Sequence, residues 1–119
     1  MAYDQYLAER INRILDEQRI QFFTKSMMGG LCYMMNDKML CGLMFNKKHG
    51  MELLMARIGE DAQTEAMQKK GCKPMDFTGR PMKGYVFVSA AGFDTDEDLR
   101  YWIDLCIGFN PLAKSSKKK

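Results

Sequence analysis

A chain of 119 residues is long enough to bury a core and fits one domain. Its 46% hydrophobic and 28% charged residues exclude an intrinsically disordered chain, and its longest apolar stretches, only a few residues each, exclude a bilayer-spanning helix. The net charge of +3 rests on the four lysines of residues 114–119, without which residues 1–113 stand at −1. The expectation is one domain over 1–113 and a disordered basic tail over 114–119, whose contact with phosphates would be weak and salt-dependent.

Tyr3, Tyr6, Leu7, Ile11, Ile14 and Leu15 recur at steps of three and four, which predicts an amphipathic first helix with Glu9, Arg10, Arg13 and Asp16 on its wet side. Residues 1–20 lack the apolar block of a signal peptide, so a cytoplasmic protein is expected. Phe22, Phe23 and Thr24 favour a strand, with Gly29-Gly30 as its turn. Residues 31–35 and 39–45 flank Asn36-Asp37-Lys38 as a hairpin whose two faces are both apolar. A turn at Lys47-Lys48-His49-Gly50 leads to a strand over 51–58, then a short polar helix over 60–70 that Gly71 stops.

Residues 72–83 carry Pro74, Gly79 and Pro81 without periodicity and are expected as a loop before a strand over 85–88. Thr95-Asp96-Glu97-Asp98 has the hydroxyl cap and first-turn carboxylates of a helix start. Leu99, Trp102, Ile103, Cys106 and Ile107 form the stripe of that last helix, which Gly108 and Pro111 would end. The fold class follows as α+β: a two-layer domain with a largely antiparallel sheet of about five strands and flanking helices, in the order α-β-β-β-β-α-β-α.

Chemistry-bearing groups are sparse. Cys32, Cys41, Cys72 and Cys106 sit among apolar neighbours and lack the paired spacing of a zinc site, so they are expected as core thiols. An enzyme using Cys41 or Cys72 as nucleophile would need a base or cation beside the thiol, and Lys73 adjoins Cys72. His49, the single histidine, lies in a lysine-rich turn with no carboxylate or cysteine near it in sequence. No catalytic residue, metal or cofactor is assigned.

Two segments suggest contact surfaces. Met27, Met28, Met34, Met35, Met39 and Met44 cluster around the hairpin, and thioether side chains serve both cores and adaptable interfaces. The 73–83 loop combines rigid residues with cations, and Lys73, Asp76, Phe77, Arg80, Met82 and Lys83 form the candidate interaction site. There Arg80 offers a planar fork for a carboxylate or phosphate, while Asp76 could hold it in an internal ion pair.

The run Phe77-Thr78-Gly79-Arg80-Pro81-Met82-Lys83-Gly84-Tyr85-Val86-Phe87-Val88 resembles the signature segment of the TfoX N-terminal domain family. Met27-Met28-Gly29-Gly30, with Met28 where the family usually has Phe, Cys41-Gly42, Ala56-Arg57-Ile58-Gly59 and Asp96-Glu97-Asp98-Leu99 with Trp102 are similar to further family segments in the same order. The resemblance covers the chain from about Tyr3 to Phe109 and implies an α/β domain of bacterial origin. It also implies a role in regulation: longer TfoX/Sxy proteins control competence for DNA uptake and carry a second, helical domain. The expected function is a non-catalytic regulatory module that binds another protein, with a homodimer as a further expectation from the two-faced hairpin. The alternative is binding of nucleic acid or a phosphorylated ligand through Lys69, Lys70, Lys73, Arg80, Lys83 and the lysine tail.

Overall fold

The computed structural model describes residues 5–27, 30–46, 51–74 and 84–112. Helix α1 (Gln5–Glu17) buries Leu7, Ala8, Ile11, Ile14 and Leu15, the spacing that lines one side of a helix. It closes at Arg19, whose φ of 58° is left-handed, and the Ile20 N–H reaches back to the Leu15 carbonyl at 2.9 Å. That wrap-back occupies one of the carbonyls a helix end leaves without a partner. Two side chains differ from expectation. Tyr6 is 67% exposed rather than part of the stripe. Arg10 is not simply solvated: it donates to the Phe93 carbonyl at 2.9 Å and to Asp96 Oδ1 at 3.1 Å.

Strands β1 (Phe23–Met27), β2 (Gly30–Met35), β3 (Lys38–Asn46), β4 (Met51–Arg57), β5 (Cys72–Pro74) and β6 (Tyr85–Ser89) form one sheet in the order β1-β2-β3-β4-β6-β5. Every neighbouring pair is antiparallel. Asn36 and Asp37 turn the β2–β3 hairpin with φ of 57° and 61°, a left-handed pair that short polar side chains tolerate. The register shifts between Tyr33 and Met34, and beside that bulge the consecutive residues Leu40 and Cys41 are both fully buried. Fold class and element order are as expected. The difference is β5, a three-residue strand in the segment assigned to the loop, where Cys72 pairs with Val88 and Pro74 with Val86. Pro74 is tolerated because β5 is an edge.

Helix α2 (Glu60–Ala66) is shorter than expected, and turns carry the chain on to Gly71, whose φ is 82°. Helix α3 (Asp96–Phe109) starts as predicted: the Thr95 hydroxyl accepts from the Asp98 N–H at 3.0 Å, with acids throughout the first turn. It does not stop at Gly108 but runs through it to Phe109 and a 3-10 turn at residues 110–112.

All three helices pack on one face of the sheet. Leu7, Ile11, Ala66, Leu99, Trp102 and Ile103 meet Tyr33, Leu43, Leu54, Val86 and Val88 in a single core. Each large apolar side chain withdrawn there contributes about 1.5–3 kcal/mol before the entropy of ordering it. The buried Tyr33 hydroxyl lies 3.0 Å from the Ala8 carbonyl and 2.9 Å from Asn12 Oδ1, fastening β2 to α1. A second, smaller cluster centres on Leu53 and Phe87, with Met44, Met55 and Tyr85 around it, and among the described residues it consists of strand residues only.

Candidate interaction surfaces

The sequence-predicted loop site falls mostly outside the described residues. Asp76, Phe77, Arg80, Met82 and Lys83 lie there, as do His49, Met28, Gly29 and residues 113–119, and Lys73 is placed only as the β5 partner of Phe87. Both ends of the loop are defined. Its far end, Gly84, is stitched to two elements: its carbonyl accepts from the Ile58 and Gly59 N–H groups at 2.9 and 3.0 Å, and its own N–H donates to Gln63 Oε1 at 2.8 Å. Gln63 Nε2 also donates to the Tyr85 carbonyl at 3.4 Å. The loop's root is thus braced against the end of β4 and the body of α2, and positioning is the role those bonds give Gly84 in the signature run.

The face of the sheet opposite the helices is the second surface. Cross-strand partners share a face, so Phe23, Met34 and Met39 line up across β1, β2 and β3, and beside them Cys32, Gly42, Met55 and Phe87 form a second row across β2, β3, β4 and β6. Gly42, opposite Met55, leaves a gap in that row: a side chain there would meet the Met55 methyl at 3.0 Å and the Met39 methyl at 3.6 Å. Leu53 and Phe87 are buried, Met39, Met44 and Met55 are half-buried, and Phe23 is 46% exposed. The methionine cluster seen in the sequence therefore divides among the described side chains: Met34 is buried, Met35 packs against the helical core, and Met39 and Met44 are half-buried on the strand face.

Two depressions flank α3. One, of about 260 Å³, is lined by Lys69, Lys70, Glu97, Asp98, Tyr101 and Trp102 among others. Lys69 and Lys70, expected from the sequence as phosphate contacts, share their cleft with Glu97 and Asp98, which oppose an anion. Lys69 is drawn over the Tyr101 ring at 4.7 Å. The other, of about 400 Å³, lies between the start of α2 and the end of α3, with Ile58, Leu105, Phe109 and Leu112 as its apolar lining and Glu60, Asp61 and Asp104 as its charged residues. Sequence reasoning missed this groove, because its two walls are more than forty residues apart and no periodicity links them.

The thiols are poorly suited to nucleophilic work. Burial pushes Cys106 up to about 12 and Cys72 up to about 11, and raises Cys32 and, to a larger extent, Cys41. A thiol so shifted is protonated at neutral pH. Among the described residues no three His, Cys, Asp or Glu side chains converge as a metal site, and no helix is long and apolar enough to cross a membrane.

These features define a small α+β domain with a helical layer on one face, an apolar strand face on the other and a braced loop root at one end. The family model of the TfoX N-terminal domain matches residues 18–110, from the close of α1 to the end of α3, and the chain belongs to that family. No curated protein and no solved structure matches it.

Proposed function

We propose that the protein is a non-catalytic regulatory module that acts by binding another protein, in the control of DNA uptake or transcription to which its family resemblance points. The observation that carries this reading is the pair of apolar rows on the helix-free face, with Phe23 and Met39 in one and Met55 in the other. Phe23 is exposed and Met39, Met44 and Met55 are half-buried on that face; apolar side chains left partly in water gain from being covered, and flexible thioethers suit a contact surface that must adapt. The protonated thiols support the non-catalytic part of the reading.

The test is site-specific photocrosslinking in the native host. A photoreactive residue replaces Phe23 on the sheet face in one strain and Glu9 on α1 in another; both positions are exposed. A discrete protein adduct from position 23 and none from position 9 is expected. Adducts of identical mass to the chain's own dimer would make the partner a second copy. Adducts removed by nuclease would replace this reading with nucleic-acid binding through the cationic loop, and the absence of any adduct would end the sheet-face assignment.

A further inference from the structure

We propose that the groove between the start of α2 and the end of α3 docks a cationic amphipathic segment of a partner protein, one that carries Lys or Arg on both sides of a bulky apolar residue. The inference rests on the protein-binding reading but not on the sheet face, which lies on the opposite side of the sheet from the helices that form the groove.

Three observations converge on it. The first is the shape of the groove and what keeps it open. Its volume is about 400 Å³, and Gly59, Ala62 and Gly108 line it with little or no side chain. Gly59 is small for an internal reason, since a side chain there would strike the Phe109 ring at 2.5 Å and its φ is 86°. Gly108 has no such reason. It sits inside α3, an added Cβ would meet nothing within 4 Å, and glycine there only weakens the helix. A helix glycine that neither its own φ nor its own chain requires fits a site where something from outside comes close.

The second observation is Leu112, 77% exposed at the groove's edge and held there by its neighbours. The preceding Asn110 is buried and bonded to the β2–β3 hairpin, and Lys38 Nζ donates to the Asn110 and Pro111 carbonyls at 3.2 and 3.3 Å. The leucine is presented by a fixed turn. With Leu105 and Phe109 it supplies an apolar lining for one or two bulky side chains.

The third is charge. Glu60, Asp61 and Asp104 are all exposed, and among the described residues no Lys, Arg or His lines the groove. Arg57 is spent elsewhere, its guanidinium over the Tyr85 and Phe109 rings at 5.4 and 6.0 Å, in the adjoining cleft. Gln18 Nε2 donates to Asp104 Oδ1 at 2.8 Å, which fixes that carboxylate without neutralising it. An apolar cleft bordered by three carboxylates selects cations around an apolar anchor, because an acidic segment would be repelled and an uncharged one would gain no attraction from them.

The experiment presents a random peptide library to the full-length protein. Enriched sequences are expected to place Lys or Arg around Leu, Phe, Trp or Met. Chemical-shift changes on titration should fall on Gly59, Ala62, Leu105 and Gly108. Two variants report on the site: Asp61→Lys with Asp104→Lys reverses its charge, and Gly108→Phe fills it while leaving the melting temperature no lower than that of the parent. Each should weaken the selected peptides at least tenfold. An acidic or absent consensus, equal affinity for both variants, or shifts confined to Phe23 and Met55 would overturn the proposal. A fourth protein, with Lys114, Lys117, Lys118 and Lys119 all changed to Ser, tests the nearest competitor. If peptides bind only that protein, the occupant is this chain's own lysine tail and a partner segment is ruled out. Failure here leaves the position-23 crosslink untouched, so the two readings fall separately.

Discussion

Asn110 is buried to 1% exposure, and its amide is used in both directions. Its Oδ1 accepts from Asn36 Nδ2 at 3.0 Å and its Nδ2 donates to the Met35 carbonyl at 3.1 Å. One side chain therefore locks the end of α3 to the tip of the β2–β3 hairpin. Replacing it with Leu keeps the branching at Cγ but leaves the half-buried Met35 carbonyl without its donor, and should cost about 1–3 kcal/mol in denaturant unfolding. A loss below about 0.5 kcal/mol would mean that water takes over the role of the amide. Asn110→Asp should be worse at neutral pH, since a carboxylate would face the Met35 carbonyl with no proton to donate. Nothing in the sequence marks this residue: an asparagine after a helix reads as a stop signal, and its partners are more than seventy positions away. Arg10 was opaque for the same reason. Periodicity assigns it to the solvent side, and only tertiary contact reveals its carbonyl partners at Phe93 and Asp94.

At the scale of elements, most of the architecture was legible because its signals are local. The stripe of α1, the hydroxyl cap of α3 and the polar turn between β2 and β3 each follow from residues within one turn or one hairpin. Strand β5 was not legible, since three residues ending in proline show no alternation and pairing with β6 alone defines them. Gly108 was misread for an instructive reason: glycine after an apolar stripe usually ends a helix, but here the backbone stays helical through it. Of the two surfaces, the methionines of the sheet face were visible as composition, whereas their division into buried and accessible members depends on strand register. The two glycines of the α2–α3 junction then predict opposite outcomes. Gly108→Ala should stabilise the fold by about 0.5–1 kcal/mol, because only helix propensity changes. Gly59→Ala should destabilise it by about 2–4 kcal/mol, from a left-handed backbone and collision with Phe109 together. Thermal unfolding of the pair decides this, and equal shifts in the same direction would refute the assignment of the two roles.

Across the whole molecule, the one-sided helical layer divides the thiols between two environments. Cys41 and Cys106 lie fully buried in the common core, whereas Cys32 is buried against Met34 on the strand face, with Cys32 Sγ 3.6 Å from Met34 Sδ. Burial raises Cys106 to about 12, with a backbone hydrogen bond from Arg57 opposing the shift in part, and the unfolded chain's thiol titrates near 9.0. The folded state therefore holds its proton where the unfolded state releases it. The stabilisation is fully present below pH 9.0 and is lost as the pH rises toward about 12. Between those limits the Cys106 thiol should remove about 1.4 kcal/mol of stability per pH unit. Lysines and tyrosines titrate in the same range, so the decisive quantity is a difference between proteins. Cys106→Ala lowers stability at every pH through the cavity it leaves, but its stability should fall less steeply with pH than the parent's, by about that same 1.4 kcal/mol per unit. Urea unfolding at pH values on either side of 9.0 measures both slopes. Parallel slopes would show that the Cys106 site admits water or a counter-charge when the core breathes. Divergent slopes would establish a dry core sealed by the helical layer, in which the Cys106 thiol meets neither water nor a counter-charge before the chain unfolds.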